Sequence, residues 1–354
     1  MKKVLIIGGG SGGTILANIL ARKTSSKELS ITVIDSQENH IYQPGLLYVA
    51  FGNENPKKLL KKERKLLNKR VNFIVDEATK IDTSQNSVQT KSGQILDYDY
   101  LVMATGSRLN PQELPGFEGA HHFYDLESAL KLREALKNFK QGKIFLGIGG
   151  IPYKCPIAPV EAVCQLEYML RQKGVRNNIE ITFLSPLPRA FSIESISPLI
   201  QKTMESQKIT ITEMFNIESI DPQTKIVNSL EGESFNYDLL IAIPPHRGAK
   251  VVEENGLGDR GGWIPTDKNT LKVKNHDNIY AIGDCTDIPT SKAGSTAHYE
   301  AKILGENIAA LIKDKSIKKY DGKVQCFFDA GKRASIISFN FENPPKPIPL
   351  KKYY

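Results

Sequence analysis

Apolar residues come in two rhythms along this chain. Short unbroken runs at Val4–Ile7, Leu29–Ile34, Val71–Val75, Leu101–Met103, Ile144–Leu146, Ile179–Leu184, Asp238–Ile243 and Asn278–Ile282 predict buried strands. Between them, apolar positions recur at helical spacing over Ile15–Ala21, Leu126–Phe139, Ala158–Gln172 and from Lys292 to about Ile312. A basic amphipathic pattern predicts a further helix over Pro56–Leu67, and a turn at Ser92-Gly93 predicts a hairpin. His40–Tyr48, with Pro44 inside it, reads as an apolar loop. Strands alternating with helices predict an α/β fold.

Glycine placement sharpens that picture. The first strand runs into Gly8, Gly10, Ser11, Gly12 and Gly13, and a helix follows. In such a dinucleotide turn one glycine makes the bend, one admits a pyrophosphate, and one lets helix pack on strand. The second strand ends in Asp35, at the spacing of a ribose-binding carboxylate. Late in the chain a buried strand ends in Ile282-Gly283-Asp284. A carboxylate there can accept hydrogen bonds from ribityl hydroxyls, which NAD lacks, so the pairing of both motifs points to FAD. Ala104-Thr105-Gly106 returns the chain to that cofactor, and Asn110–Gly116 reads as a linker out of its domain. A second glycine turn, Gly147-Ile-Gly149-Gly150-Ile-Pro152, departs from the fingerprint. Proline holds its third glycine position, and its following strand ends in Ser185-Pro186 where a ribose-holding residue belongs. The second domain is therefore expected to keep the fold without binding NAD(P)H.

Composition narrows the class. The 354 residues suffice for two or three domains, and the 24% charged and 40% hydrophobic fractions are those of a soluble globular chain. Met1-Lys-Lys leads straight into a predicted strand, so no signal peptide is expected, and no apolar run approaches a membrane span. The net charge of +8 fits a solvated lysine-rich surface or an anionic membrane surface. Nucleic acid is not expected, because no basic patch is interleaved with stacking aromatics. The four cysteines lack the spacing of a zinc site or a secreted disulfide framework, and no metal is expected. Cys155 lies ahead of a helix N-terminus and beside Lys154, both of which favour a thiolate. Cys164 and Cys285 read as packing residues.

With these motifs in place, the chain resembles the two-dinucleotide flavin disulfide reductases. More closely, it is similar to the sulfide:quinone oxidoreductases and the flavoprotein of flavocytochrome c sulfide dehydrogenase. Tyr153-Lys-Cys155-Pro-Ile-Ala-Pro159, Ile243-Pro-Pro-His246-Arg247, Lys292-Ala-Gly294 and Cys326 carry the resemblance, which extends to about Gly331. It implies two Rossmann-like domains. Residues 1–112 and 246–320 would form the FAD domain, 113–245 the second domain, and 321–354 a C-terminal segment bearing the second redox cysteine. The catalytic candidates are Cys155, Cys326 and Glu161. The cofactor-binding candidates are Gly8, Gly10, Ser11, Gly12, Gly13, Asp35, Ser36, Pro44, Ala78, Thr105, Gly106, Gly283, Asp284, Lys292, Ala293 and Gly294.

The resemblance further implies a disulfide or polysulfide bridge between Cys155 and Cys326 that hydrosulfide opens, with quinone taking the electrons from FAD. Glu161 would handle protons, or simply sit at a helix start favoured by the dipole. Lys292 would stabilise charge on the reduced ring, or be a surface lysine. His246 would be structural or face the ring. Gly119–Leu130 holds no third cysteine, which implies a two-cysteine cycle. The expected location is cytoplasmic, with peripheral contact on the inner face of the cell membrane, and homo-oligomerisation is left open. The competing readings are a non-pumping NADH:quinone oxidoreductase, a flavin-bearing partner of a cytochrome, and a flavin-stabilised interaction protein.

Overall fold

The computed structural model describes residues 1–345 and the backbone of 351–352. The proline- and lysine-rich C-terminal end read from the sequence otherwise lies outside the described residues. Each predicted apolar run becomes a strand, and the strands form two parallel sheets. The first has the order Ile279–Ala281, Tyr100–Met103, Lys2–Ile7, Leu29–Asp35, Val71–Val75. Val4 lies in register with Ile31 on one side and Tyr100 on the other. The second has the order Thr210–Thr212, Ile179–Leu184, Gly142–Ile148, Leu239–Ile243. In both, the chain steps outward from the first strand, passes through a three-stranded antiparallel meander, and returns on the first strand's opposite side. The meanders are Ala78–Asp82, Ser87–Thr90, Ile95–Asp97 and Ile217–Asp221, Ile226–Ser229, Ser234–Asn236. One is the hairpin expected at Ser92-Gly93; the other turns at Gly232, whose φ of +90° suits glycine.

Helices cover one face of the first sheet's central strands and the meander residues Ala78, Ile81 and Val88 the other, which is why those strands are apolar throughout. Helix Ser11–Lys23 packs on helix Gly294–Leu311 through Leu16, Leu304 and Ile308, all fully buried. A Cβ on Gly305 would lie 2.7 Å from Ile19, so glycine sets how closely the two helices approach. Helix Ala158–Gln172 covers the second sheet through Val160, Val163, Leu166 and Leu170. The C-terminal hairpin, Val324–Asp329 with Arg333–Phe339, places Phe328, Ala330 and Ile337 in that same core. This packing returns Cys326 to the helix that follows Cys155.

Two local expectations change. Pro56–Leu67 is not one helix: a 3-10 turn at Pro56–Leu59 leads to a strand at Leu60–Lys62 and a single turn at Glu63–Leu66. Leu60–Lys62 pairs with Asn39–Ile41, and Glu63 is buried at 1% exposure instead of facing water. Tertiary hydrogen bonds thus outweigh the amphipathic pattern. The loop after His40 contains a helix, Gly45–Ala50, whose Leu46, Leu47 and Val49 enter the core.

Truncating Leu304 to alanine removes a buried side chain from the interhelical contact. It should lower stability to urea by about 2–5 kcal/mol; a loss under about 1 kcal/mol would show that the helices repack freely.

Candidate active site

The first glycine turn joins a strand to a helix with no space for side chains. A Cβ on Gly8, at φ +109°, would lie 2.3 Å from the Ala104 carbonyl oxygen, and one on Gly13 would lie 1.9 Å from the Gly8 oxygen. Gly10, the N-cap, faces open space beside Ser11 and the helix N-terminus. Asp35 stands at the turn: Oδ2 accepts from the Gly9 N–H at 2.6 Å and Oδ1 from the Gln37 N–H at 2.7 Å. Ser36 is exposed beyond it, Pro44 caps helix Gly45–Ala50, and Ala78 is buried at the head of the first meander. Thr105 and Gly106 follow strand Tyr100–Met103, with Gly106 at φ +63°.

Gly283-Asp284 lies at the mouth of the same sheet. The Gly283 N–H donates to Glu300 Oε2 at 2.6 Å, and Ala293 and Gly294 open the helix that carries Glu300. Burial raises the Asp284 carboxyl, while the Lys154 and Lys292 cations pull it back down. Lys292 is no surface lysine. Its Nζ donates to the Asp284 and Thr286 carbonyls at 2.9 and 2.7 Å and stands 4.0 Å from the Trp263 ring centroid. Burial lowers the pKa of both Lys154 and Lys292.

The Cys155 loop meets this turn directly, since the Cys155 N–H donates to the Lys292 carbonyl at 2.6 Å. Cys155 holds a φ of +52°, a left-handed conformation rare for a residue with a side chain. It and Cys326 are partly buried free thiols packed against one apolar core. The surroundings do not favour a thiolate at rest. Burial pushes the Cys155 thiol up, and the Glu161 carboxyl and Cys326 sulfur push it further. Burial also raises Cys326 to about 11, and Glu161 adds to that rise. Glu161 Oε1 accepts from the Asp329 N–H at 3.0 Å, and burial carries its carboxyl up to about 8. Cys155, Cys326, Glu161 and Asp284 thus form one electrostatically connected cluster.

His246 is buried beside it. Its Nδ1 donates to the Pro244 carbonyl at 2.7 Å, its ring meets Tyr124 edge-on at 5.1 Å, and Nε2 has no partner among the described residues. Burial, helped by the Lys154 cation, lowers it to about 3, so it is neutral. Cys164 is fully buried in the core, and Cys285 Sγ donates to the Ile282 and Met103 carbonyls. Sequence reasoning missed Glu300, Tyr124 and Trp263. Glu300 was detectable as a carboxylate within the apolar stripe Ala297, Ala301, Leu304.

The residues fit a dinucleotide that carries a ribityl chain. The glycine cradle admits backbone approach, Asp35 is a carboxylate at the neighbouring strand end, Asp284 is a buried acceptor, and Ser107 Oγ and Glu300 Oε1 are buried without partners among the described residues. At the second turn, a cavity of about 410 Å³ is walled by Ile151, Pro152, Pro186, Leu187 and Trp263, among others. Ser185, at the ribose position, is buried, and its hydroxyl donates to the Arg189 carbonyl at 2.7 Å.

Fold and site together define a flavoprotein oxidoreductase with two dinucleotide-binding folds. Residues 2–301 match the pyridine nucleotide-disulphide oxidoreductase family, and the chain belongs to it. It is 26% identical to the mitochondrial sulfide:quinone oxidoreductase of Mus musculus, covering 97% of this chain and 79% of the mouse protein. It is also 26% identical to the type II NADH:quinone oxidoreductase of Staphylococcus aureus, over 90% of this chain and 85% of that protein. Among solved structures, the sulfide:quinone oxidoreductase of Aquifex aeolicus superposes with a TM-score of 0.87 at 23% identity, covering 99% of this chain and 87% of the other. No helix among the described residues is long and apolar enough to cross a membrane.

Glu161 and Glu300 both carry carboxyls raised to about 8 by burial. Infrared difference spectra should therefore show protonated carboxyl bands at neutral pH that titrate near pH 8, one lost in Glu161→Gln and another in Glu300→Gln. Because the folded pKa lies above the unfolded value, these groups favour folding at low pH. That contribution declines as pH rises from the ordinary glutamate range through about 8. Glu161→Gln should flatten this decline in a pH series of urea melts.

Proposed function

We propose that this chain is a FAD-dependent sulfide:quinone oxidoreductase that works from the cytoplasmic face of the membrane. The observation that carries the reading is the meeting of Cys155 and Cys326, distant in sequence, beside Glu161 and the Gly283-Asp284 turn. FAD, when bound, supplies the two-electron acceptor between the sulfur site and quinone. Gly8, Gly10, Ser11, Gly12, Gly13 and Asp35 would hold its adenosine diphosphate portion, and Asp284 its ribityl chain. Ser36, Pro44, Ala78, Thr105, Gly106, Ala293 and Gly294 would line the remaining path, and Lys292 would favour negative charge at the ring.

In the oxidised enzyme Cys155 and Cys326 are joined by a sulfur–sulfur bond. Hydrosulfide attacks one sulfur, forming a new S–S bond as the old one breaks. One cysteine becomes a persulfide, and the other leaves as a thiolate, which takes up the proton. Glu161, holding a proton below about pH 8, is placed to give and retrieve it. A second hydrosulfide takes the outer sulfur of the persulfide away as HSS⁻, returning both cysteines to thiols; re-forming the Cys155–Cys326 bond then releases two protons and two electrons, for which bound FAD would supply the acceptor.

The second reading, an NADH:quinone oxidoreductase, draws on the Staphylococcus aureus relative. It requires a nucleotide at the second turn. Pro152, the apolar cavity walls and the internally bonded Ser185 speak against that, and it leaves Cys155 and Cys326 without a role.

Anaerobic mixing of FAD-loaded protein with sulfide or with NADH separates the two. Sulfide should bleach the flavin rapidly and NADH should not; the reverse result would sink the proposal. Cys155→Ser and Cys326→Ser should each abolish the sulfide response. Glu161→Gln should slow it about a hundredfold, the scale of a lost general acid–base group.

A further inference from the structure

Behind the first glycine turn lies a buried polar cluster that the proposed chemistry does not use. Glu63, from the single turn Glu63–Leu66, is 1% exposed in the core of the first domain. Its Oε1 accepts from the Thr14 hydroxyl at 2.6 Å, and its Oε2 accepts from His40 Nδ1 at 2.8 Å. His40 Nδ1 also lies 3.1 Å from the Gly9 carbonyl oxygen, and the Thr14 hydroxyl lies 2.9 Å from that same oxygen. Both neighbours of Nδ1 are acceptors, so Nδ1 carries the hydrogen, and Nε2 is the nitrogen that gains or loses a proton. Gly9 is held from its other side as well, through its N–H to Asp35 Oδ2. A Cβ on Gly9 would touch Asp35 and Glu63 at 3.3 and 3.4 Å. Gly9 is thus held on the two peptide groups that flank it by three side chains from three separate elements, Asp35 on its N–H and His40 and Thr14 on its carbonyl.

We propose that His40, Glu63 and Thr14 are positioning residues for FAD, fixing the Gly9 peptide and Asp35 for the adenosine ribose, so that cofactor retention depends on the charge of His40. The inference rests on the reading that FAD occupies the first domain. When Nε2 loses its proton, the Nδ1–H bond to Glu63 remains but is no longer charge-assisted, and the buried Glu63 loses its compensating cation. The weakened clamp then holds Gly9 and Asp35 less firmly.

The charged groups around His40 are Glu63 and, further off, Asp35 at the end of its strand. Lys61 lies opposite it in register, and Lys62 is engaged with Glu38. The hydrogen bond with Glu63 raises the imidazole pKa, against the opposing effect of burial. Since the fold raises the His40 pKa above its unfolded value, the contribution is complete at low pH and is lost as pH rises through the raised value.

The test is FAD binding to apoprotein, followed by flavin fluorescence from about pH 6 to about pH 9, across and above the ordinary histidine range. Wild type should bind more weakly as pH rises. His40→Ala should weaken binding about tenfold at the low end, as expected for a lost charge-assisted hydrogen bond, and should be flat with pH. His40→Asn, whose side-chain amide can donate from near the Nδ1 position, should recover part of the affinity but none of the pH dependence. That recovery separates positioning from general loss of structure, and thermal melts of each apoprotein check that the variants fold. Wild-type affinity in His40→Ala, or an unchanged pH profile in His40→Asn, would overturn the proposal alone. A wild-type protein that binds no FAD at any pH would overturn the flavin reading, and this inference with it.

Discussion

One backbone hydrogen bond, from the Cys155 N–H to the Lys292 carbonyl, joins the two halves of the candidate site. Cys155 belongs to the loop that leaves the second sheet; Lys292 belongs to the segment that leaves the Gly283-Asp284 turn of the first. The Lys292 side chain folds back on the Asp284 and Thr286 carbonyls and lies over Trp263, so the acceptor is itself anchored. The donor is anchored by the helix that begins three residues later, whose Ala158 N–H donates to the Cys155 carbonyl. The left-handed backbone at Cys155 persists because both of its peptide groups are bonded. Everything else about the site, including the nearness of sulfur to Asp284, follows from this registration of one domain against the other.

That registration places several ionisable groups in a dry region, where charge of either sign is disfavoured. The carboxyls of Asp284, Glu161 and Glu300 rise, while the amines of Lys154 and Lys292 and the His246 imidazole fall. The consequence for the sulfur chemistry is a constraint on pairs. A thiolate at Cys155 and a carboxylate at Glu161 each make the other's charge harder to hold. The cluster therefore favours one negative charge shared between them. In the proposed reaction, a single proton passing between Glu161 and the sulfur keeps the pair at that one negative charge, which a glutamate serving only as a helix-start dipole partner would not do.

Much of the architecture was legible because both sheets are parallel and covered on both faces. Runs such as Val4–Ile7 and Leu239–Ile243 are apolar without interruption, and helix Ala158–Gln172 could be bounded from its spacing. The stretch Pro56–Leu67 was misread because its pattern is local while its structure is not. Leu60–Lys62 takes its hydrogen bonds from Asn39–Ile41, and Glu63 from Thr14 and His40, none of which its own periodicity can announce. The Cys155 thiolate failed for a related reason. Lys154 adjoins the cysteine in sequence, but burial and the nearby carboxyl of Glu161 outweigh it. Adjacency in sequence indicated an attraction; the fold supplied a larger repulsion.

The second glycine turn shows why glycine alone is a poor witness to a ligand. Gly149 and Gly150 survive there although Pro152 follows, and the structure gives them a reason independent of any phosphate. A Cβ on Gly149 would lie 2.8 Å from the Ile243 carbonyl oxygen, and one on Gly150 would lie 3.2 Å from Pro245. These glycines let the turn pack on the strand that ends in Pro244-Pro245, a contact the fold needs whether or not a nucleotide binds. Gly8 and Gly13 are also packed against backbone, but there Gly10 opens onto free space and Asp35 waits at the neighbouring strand end. What separates the two turns is therefore the residue set around the glycines. The first keeps a carboxylate and a buried clamp behind it; the second has filled the corresponding positions with proline and an internally bonded serine, and sends its loop on to Cys155.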